Sequence, residues 1–539
     1  MQQYQADVVV IGAGIAGLSA TLELLNAGKS VIVCDAQTQI GGMAKEAFGG
    51  MHLINTPQQR WNGIRDDADL ALQDWLSFAE FSREDVWPRK WAHHYLEYCR
   101  RDIYDWLNKL GVHFFPVVHW VERGNYGCGG PGRGNSLPRY HMVWGTGEFL
   151  MQRLQQAISV HPQNKKLRLL LGHKITDFIC QQQSVQAVRG KSAQGEFCVQ
   201  APHTIIAGGG INGNPALVRQ HWDTACYGEY PQNMLQGAHP SADGHLHTAA
   251  AVCDAQINHL GWMWNYAAGI SHPQPTYTHE GLSLIPARSS LWLDASGQRI
   301  GPLPLMTGFD THDLCKITGH LPGQYSWQIM NRRIADKELA VSGAQMNPAF
   351  RQRSWLGILK IALRGNPALV DYLIEHCPDV ICAESLPELA QAMNHYNGDQ
   401  QVQLANMQRD IGAYDRQCHL YNSPFVTDDQ LRRIQLLRRW RGDKARTLAG
   451  QAILDKNAGP LIAIKSRLIS RKSMGGFCTD LSSQVFNRQG QVIPGLYAAG
   501  EAAGFGGGGI AGKRSLEGTF LSACILTARR AAQHIVQQA

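Results

Sequence analysis

The alternation of apolar and polar residues gives its clearest signal near the start of the chain. Residues 7–11 (DVVVI) form a short apolar run, as expected for a buried parallel strand. The motif Gly12-x-Gly14-x-x-Gly17 follows directly and opens a pattern of leucines at helical spacing. A second strand is predicted over 30–34, with Asp35 at its carboxyl end. The pattern therefore predicts a strand, a tight turn, a helix and a second strand in close succession.

This succession has a specific physical meaning. Gly12 permits the tight turn, Gly14 lets the backbone approach a pyrophosphate, and Gly17 allows the helix to pack closely on the strand. Free N–H groups at the helix N-terminus favour a phosphate, and the Asp35 carboxylate can accept both ribose hydroxyls of an adenosine. The alternative is a glycine-rich turn in an ordinary α/β unit. That alternative does not explain why Asp35 lies at the end of the second strand. The motif thus predicts a dinucleotide site, without separating NAD from FAD.

The patterns change character in the middle of the chain. Apolar residues at helical spacing predict helices over 66–80 and 89–110, and residues 200–210 predict a strand that runs into a glycine triplet. Between about 258 and 465, tryptophan, proline and histidine become frequent and the strand–helix alternation is lost. A hairpin is predicted over 290–299. This change predicts a separate unit inserted into the dinucleotide-binding part.

Composition narrows the functional classes. A chain of 539 residues is long for one domain, so two or more units are expected. The net charge of +7 is spread along the chain without a basic stripe, which disfavours nucleic-acid binding. No run of 18 apolar residues occurs, and the first strand begins close to Met1, so we expect a cytoplasmic protein without a transmembrane segment or signal peptide. The 13 cysteines lack metal-site spacing, which predicts no metal site and reduced, mostly buried thiols.

Several glycine segments beyond the first motif carry a family resemblance. They are the pairs Gly41-Gly42 and Gly49-Gly50, the segment 475–480 (GGFCTD) and the segment 491–501 (QVIPGLYAAGE). With these segments the chain resembles the FAD-dependent oxidoreductases of the fumarate reductase and 3-ketosteroid Δ1-dehydrogenase type. The resemblance covers residues 6–50, 200–250 and 475–530 well and the middle of the chain only loosely.

The resemblance implies an α/β architecture. We expect a Rossmann-like FAD-binding domain (1–257 and 466–539) with an inserted α+β substrate-binding cap domain (258–465). Some members bind FAD covalently through a histidine after the first glycine pair, but residues 43–47 contain none, so non-covalent FAD is expected. A helix from residue 516 would point its N-terminus at the pyrimidine edge of the flavin and stabilise negative charge there.

The cofactor-binding residues that the motif and the resemblance predict lie in four parts of the chain. They are Gly12, Gly14, Ile15, Ala16 and Gly17, then Asp35, Ala36, Gly41, Gly42, Met43, Gly49 and Gly50, then Ala207, Gly208, Gly209 and Asp243, and finally Gly500, Glu501, Ser515 and Leu516.

The resemblance also implies a reaction. We expect hydride transfer to flavin N5 from a CH–CH bond next to a carbonyl, in a ketosteroid-like or other cyclic ketone. Tyr126 or Tyr325 is the candidate acid or base, Arg514 the candidate carbonyl or carboxylate ligand, and His312 a further candidate. The histidine that accompanies such an arginine in fumarate reductases is replaced by glycine within 506–509, so a dicarboxylate clamp is incomplete.

Two other functions remain open at this point. One is a fumarate reductase-like reductase of α,β-unsaturated carboxylic acids, and the other is a non-catalytic flavin-binding redox sensor. A dehydrogenase and a reductase would each act on a small-molecule substrate and exchange electrons with an acceptor or donor, whose identity the sequence leaves open. A homo-oligomer is also possible.

Overall fold

The computed structural model describes residues 1–124, 134–181 and 184–538, and a six-stranded sheet organises its two chain ends. The strands are, in chain order, β1 (Gln2–Gln5), β2 (Val8–Ile11), β3 (Val31–Asp35), β4 (Gly50–His52), β5 (Tyr140–Met142), β6 (Leu167–Leu171), β7 (Lys174–Gln181), β8 (Ser184–Ser192), β9 (Gly195–Gln200), β10 (His203–Ile206), β11 (Leu235–Gln236), β12 (Ile257–Asn258), β13 (Met263–Ser271), β14 (Gly281–Ile285), β15 (Leu291–Leu293), β16 (Tyr325–Asn331), β17 (Ala340–Val341), β18 (Val380–Ala383), β19 (Leu461–Ser473), β20 (Gly476–Phe477), β21 (Gln484–Phe486) and β22 (Val492–Ala498).

Helices connect and cover these strands. They are α1 (Ile15–Asn26), α2 (Pro57–Trp61), α3 (Ala68–Ala79), α4 (Val86–Tyr98), α5 (Trp106–Lys109), α6 (Thr146–Ser159), α7 (Pro215–Gln220), α8 (Thr224–Tyr227), α9 (His245–Ala249), α10 (Thr311–His320), α11 (Arg332–Glu338), α12 (Pro348–Arg351), α13 (Trp355–Arg364), α14 (Pro367–His376), α15 (Leu386–Asn397), α16 (Leu404–Cys418), α17 (Asp429–Leu437), α18 (Arg441–Lys444) and α19 (Thr519–Gln537). None of the helices in the described ranges is long and apolar enough to cross a membrane.

The six-stranded sheet has the order β21-β22-β10-β2-β3-β6. Its strands from β22 to β6 are parallel, and β21 is antiparallel at one edge. Val8 and Val10 on β2 pack into a core shared with α1 and α19, whereas Val9 and Ile11 pack into a second core on the opposite face. Since successive side chains of a strand point to opposite faces, a strand buried on both sides must be apolar throughout, as residues 8–11 are.

The middle of the chain forms an eight-stranded sheet. Six strands follow the order β15-β16-β19-β13-β14-β17, and β11 and β18 also pair with β19. Helices α10, α11 and α14 to α17 share a hydrophobic core with this sheet, whereas α12 and α13 have no buried residues. Strand β19 runs without a break through residue 465, so the domain boundary predicted there falls inside a strand. Its far end, at Arg471 to Ser473, reaches back toward the six-stranded sheet.

Most predicted elements are present, with differences that have physical causes. The helix predicted over 66–80 is α3, and the one predicted over 89–110 comprises α4, a π-helical segment (Cys99–Asp105) and α5. The hairpin predicted over 290–299 is present as a short antiparallel bridge between Leu293 and Arg299, flanked by backbone hydrogen bonds from Asp294 to Gln298 and from Ile300 to Trp292. The strand β15 also pairs with the distant β16. The local turn exists, but strand pairing across 30 residues leaves no local signal.

One cysteine pair contradicts the expectation of reduced thiols. Cys180 on β7 and Cys253, which follows α9, form a disulfide with their Cα atoms 5.9 Å apart. They are 73 residues apart in sequence, and no spacing rule connects them. Eight of the ten free cysteines that the structure describes are buried, in agreement with the expectation for the remainder.

Candidate active site

A long cleft opens at the carboxyl ends of the parallel strands. Its wall includes Ile11 at the end of β2, Asp35 at the end of β3, and the residues that follow β10 and β22. The empty space inside it, including the part open to solvent, is about 1650 Å³. Ligands of open α/β sheets bind at this edge. Predicted cofactor residues that line the cleft are Gly12, Gly14, Ile15, Ala16, Asp35, Ala36, Gly42, Met43, Gly49, Gly50, Ala207, Gly208, Gly209 and Glu501.

The glycines of the first motif have different reasons to be glycine. A Cβ on Gly12 would lie 2.4 Å from the carbonyl oxygen of Ala207, and a Cβ on Gly17 would lie 1.8 Å from that of Gly12. Close backbone packing therefore excludes side chains at both positions. Gly14 differs, because a Cβ there would have no atom within 4 Å and its φ of −78° suits any residue. No protein atom occupies the space beside Gly14.

The N-terminus of α1 faces the same space without a side-chain cap. Gly14 is the N-cap residue, no side chain accepts a hydrogen bond from the first turn, and no acidic residue lies in that turn. A buried helix N-terminus keeps unpaired N–H groups and a partial positive charge, which a phosphate satisfies. The open space at Gly14 and the uncapped helix together fit the pyrophosphate of a dinucleotide such as FAD.

Asp35 lies where the adenosine of such a dinucleotide would bind. Its carboxylate accepts hydrogen bonds from the N–H groups of Ala13 (2.6 Å) and Gln37 (2.7 Å). These bonds fix the carboxylate beside the glycine turn. Two oxygens offer about four acceptor positions, so capacity for ribose hydroxyls remains.

Glu501 is partly buried and lines the cleft. Its Oε1 accepts a hydrogen bond from the N–H of Ser473 (2.9 Å), and burial raises the pKa of the carboxyl to about 7. A buried carboxyl of this kind gains stability from hydroxyl donors, such as those of a ribityl chain.

The end of the cleft away from Asp35 brings together polar groups that the sequence analysis did not assign. Glu517 Oε2 accepts hydrogen bonds from the Tyr266 hydroxyl (2.7 Å) and from Trp264 Nε1 (3.1 Å). Burial raises the pKa of the Tyr266 phenol well above its ordinary value, so this group is a proton donor at neutral pH. Tyr140, whose pKa burial also raises, lines the same end.

Two cations from the end of β19 complete this part of the cleft. Burial lowers the pKa of the Lys472 ammonium to about 8, although the Glu517 charge opposes the shift. Lys472 Nζ lies 4.2 Å from the centre of the Phe520 ring. Arg471 lines the cleft, and its Nε is buried without a hydrogen-bond partner among the described residues. Both cations are therefore available to an anionic or carbonyl group in the cleft.

These residues were missed because their sequence signals are weak. Tyr266 lies in the middle of the strand β13, and Lys472 lies one residue before the end of the long strand β19; both resemble ordinary strand residues. Glu517 lies two residues before the helix α19. The pairing of β13 with β19 brings the strands of Tyr266 and Lys472 together, and Glu517 joins them through its hydrogen bond from Tyr266. Residue spacing encodes neither contact.

Arg514 lies outside the lining of the cleft. Its Nε donates to Glu80 (2.6 Å), one of its terminal nitrogens donates to Asp313 (2.8 Å), and the other donates to Asp310. The guanidinium thus joins the end of α3 to the start of α10. Asp310, His312 and Asp313 lie close enough together to hold a metal ion, but both carboxylates already accept hydrogen bonds from Arg514.

The other predicted catalytic residues also lie away from the cleft. The Tyr325 hydroxyl accepts a hydrogen bond from Asn397 (2.8 Å) within the eight-stranded sheet region. His312 Nε2 lies 3.5 Å from Cys226 Sγ, and burial lowers its pKa to about 4, so it is neutral at pH 7. Tyr126 lies outside the described residues.

Six predicted cofactor residues do not line the cleft. Gly17 packs against the backbone of Gly12, and the Gly41 N–H donates to the carbonyl oxygen of Ala13 (3.0 Å). Asp243 forms ion pairs with Lys174 (2.8 Å) and His245 (2.5 Å). The others are Gly500, Ser515 and Leu516, which are buried beside lining residues. The helix predicted from residue 516 begins at Thr519.

Comparison with known proteins agrees with this geometry. A family model described as an FAD binding domain matches residues 7–521. The KsdD-like steroid dehydrogenase of Mycolicibacterium smegmatis is 39% identical over 535 residues, which cover 96% of each chain. The resemblance that the glycine segments predicted is confirmed.

Two solved structures show the same fold. The 3-ketosteroid Δ1-dehydrogenase of Sterolibacterium denitrificans in complex with 1,4-androstadiene-3,17-dione aligns with a TM-score of 0.70 and 15% identity, covering 99% of this chain and 100% of that one. The open conformation of a flavocytochrome c3 fumarate reductase aligns with a TM-score of 0.69 and 18% identity, covering 99% of this chain and 78% of that one. At these identities the likeness concerns the fold, an FAD-binding flavoenzyme fold with mixed α/β sheets.

Proposed function

This chain belongs to the FAD-binding domain family and is an FAD-dependent oxidoreductase, and from that premise we propose that it dehydrogenates a CH–CH bond next to a carbonyl in a ketosteroid-like cyclic ketone. One observation carries the proposal: a relative named as a steroid dehydrogenase matches the chain from end to end at 39% identity. The position of Glu517, Tyr266 and Lys472 at one end of the cleft supports it, because this chemistry needs a proton acceptor and a carbonyl ligand.

We assign the two large sheets to the two parts of such an enzyme. The six-stranded sheet with its glycine turn is the Rossmann-like FAD-binding core, and the eight-stranded sheet with its helices is an inserted substrate-binding cap. Residues 12–17, Asp35 and Glu501 would hold the pyrophosphate, the adenosine ribose and the ribityl chain. FAD is bound non-covalently, since the segment after the first glycine pair has no histidine.

When bound, FAD supplies the acceptor for the hydride that leaves the substrate. The Glu517 carboxylate accepts the proton from the carbon next to the carbonyl, and Tyr266 and Trp264 hold that carboxylate in place. Proton transfer to a positioned side chain contributes about 10²–10⁴-fold to a rate. Loss of the proton and the hydride from adjacent carbons leaves a carbon–carbon double bond conjugated with the carbonyl.

The carbonyl oxygen gains negative charge while the proton leaves. Tyr140 is a protonated phenol at the same end of the cleft, and Lys472 and Arg471 are cations beside it. We assign the carbonyl contact to these three residues, since preorganised donors stabilise developing charge most strongly where water is excluded. Arg514, the sequence-based candidate for this contact, already pairs with three carboxylates.

An anaerobic spectral titration tests the proposal. Oxidised protein is mixed with a panel of saturated 3-ketosteroids and simpler cyclic ketones, and the flavin absorbance is followed. The expected result is bleaching by a ketosteroid, with formation of an enone that absorbs in the ultraviolet. If every ketone leaves the oxidised spectrum unchanged, the proposal is overturned.

A second function is favoured by the cationic side chains in the cleft. Arg471 and Lys472 could hold a carboxylate, as a reductase of α,β-unsaturated acids requires. The same apparatus separates the two functions when dithionite-reduced protein is mixed with unsaturated acids and with enones. Faster reoxidation by unsaturated acids than by enones would support the reductase.

A further inference from the structure

Helix α13 (Trp355–Arg364) presents apolar side chains to solvent. Leu356, Leu363, Leu359 and Trp355 are 81%, 71%, 55% and 54% exposed, and no residue of the helix is fully buried. Positions 356, 359 and 363 lie on one face, because residues three and four apart are neighbours on a helix. Four large apolar residues on one exposed helix form a patch that marks an interaction site.

The sequence segment that contains this helix carries charge of one sign. Between residues 339 and 370 the sequence has four cations, Arg351, Arg353, Lys360 and Arg364, and no acidic residue. All four cations are exposed. Lys360 follows Leu356 by one turn and Arg364 follows Lys360 by one turn, so both cations lie on one side of the apolar face. Arg351 pairs weakly with Glu148 (3.5 Å), and Arg353 lies over the ring of Phe149.

The helix is joined to the wall of the cleft by an aromatic cluster. Phe48 lines the cleft and packs on Phe350 of the segment before α13, with ring centres 5.0 Å apart. Phe350 packs on Trp144 (5.6 Å), and Trp144 packs on Trp355 (4.5 Å). The helix α13 is therefore connected through these rings to the segment around Phe48 that lines the cleft.

We propose that α13 and its flanking cations dock this protein on the surface of an anionic lipid bilayer. Leucines and a tryptophan on one face with Lys and Arg at its edge are the features of a helix that lies in the membrane interface. The occupant is a bilayer and not a second copy of this chain, because a two-fold contact through the same face would bring two sets of four cations together. Docking requires no ketosteroid substrate and can fail or succeed independently of the proposed reaction.

Vesicle flotation with the full-length holoprotein tests the proposal. The vesicles are pure phosphatidylcholine, or phosphatidylcholine with about 30% phosphatidylglycerol, at low and high salt. The expected result is binding to the anionic vesicles that weakens with salt, since each surface cation adds about fivefold to the partition coefficient. Absence of binding to anionic vesicles at low salt would overturn the proposal.

Two variants locate the contact. Leu356→Gln/Leu359→Gln/Leu363→Gln should lower the partition coefficient at least about tenfold, and Lys360→Gln/Arg364→Gln should lower it about 30-fold on anionic vesicles only. Glutamine keeps the helix propensity of leucine, so α13 is retained. Circular dichroism and flavin content check that each variant is folded.

Matched controls change the same residue types elsewhere. Val160→Gln/Val252→Gln/Phe425→Gln replaces apolar residues that are 73%, 65% and 76% exposed, and Arg416→Gln/Lys456→Gln removes two exposed cations. Both controls should bind like the unchanged protein, and an equal loss in control and test variants would contradict a contact through α13. Sedimentation that shows a dimer, lost in the leucine variant while vesicles are not bound, would assign the face to a second copy instead.

Discussion

At the scale of single residues, Gly14 and Gly17 are glycines for different reasons. We expect Gly14 to be needed for FAD binding and Gly17 to be needed for packing of the fold. Gly14→Ala should change the free energy of unfolding of the FAD-free protein by no more than about 1 kcal/mol, because its Cβ meets nothing and its φ is ordinary, while alanine caps a helix N-terminus less well than glycine. The same methyl group should lower the affinity for FAD at least tenfold, since it fills the space at the uncapped helix. Urea unfolding and fluorescence titration with FAD measure the two quantities.

Gly17→Ala is the matched comparison. Its Cβ would lie 1.8 Å from the Gly12 carbonyl oxygen, so this variant should lose stability even without FAD. Equal FAD affinity in the Gly14→Ala variant and the unchanged protein would show that the pyrophosphate does not approach this position.

Tyr266 and Tyr325 form a second matched pair, since each loses one hydroxyl on replacement by phenylalanine. Tyr266→Phe removes a hydrogen bond to the Glu517 carboxylate, and such bonds to charged groups are worth about 1.5–3 kcal/mol. We expect flavin reduction by the ketone to slow about 10- to 100-fold, measured by anaerobic stopped-flow absorbance at equal flavin content. Tyr325→Phe removes only the contact with Asn397 and should keep its rate.

The opposite ranking would restore the sequence-based assignment of Tyr325. A Glu517→Gln variant adds a check within the same cluster. It keeps an acceptor oxygen for Tyr266 and Trp264 but cannot take up a proton, so its rate should fall further than that of Tyr266→Phe.

At the scale of secondary-structure elements, local patterns predicted what they physically determine. The apolar run at 8–11 and the helix after Gly14 were predictable because burial on both faces and the glycine turn leave direct traces in the sequence. The pairing of β15 with β16 was not predictable, and neither was the approach of β13 and β19 to Glu517. The glycine turn and Asp35 of the candidate site were therefore predictable, whereas the group around Glu517 depends on long-range strand pairing.

Arg514 connects elements that are distant in sequence, and its replacement should change stability more than chemistry. Arg514→Ala leaves the buried Asp310 carboxyl without its main counter-charge, and losing one partner of a buried ion pair costs about 3–5 kcal/mol. Urea unfolding at pH 8 should show a loss of this order, while FAD remains bound.

The pH dependence of this loss has a definite sign. Burial already raises the pKa of Asp310 to about 6 with Arg514 present, and removing the cation raises it further. A carboxyl with a raised folded-state pKa binds protons in the folded protein, so the stability of the variant should recover as the pH falls to 5. Arg439→Ala, at an exposed position, should show neither effect. Unchanged stability together with lost turnover would instead make Arg514 a catalytic residue.

At the scale of the whole molecule, the cleft is built from both chain ends and the middle. Helix α1 packs on α19, and Arg529 Nε donates to Glu23 Oε1 (2.8 Å) between them. A Cβ on Gly500 would lie 3.0 Å from both Ala16 Cβ and Cys524 Sγ, so the chain ends meet at close range. A cofactor in this cleft would touch parts of the chain that are almost 500 residues apart.

FAD binding should therefore stabilise distant segments together. Adding FAD to the FAD-free protein at about 100 times its Kd should raise the free energy of unfolding by about 2.7 kcal/mol. Hydrogen exchange should slow in α1, at the start of β7 and in the first turns of α19, because residues of all three segments line the cleft. Protection confined to α1 and β7 would show that α19 and Glu501 are not part of the cofactor site, since a dinucleotide that spans the cleft must order both chain ends at once.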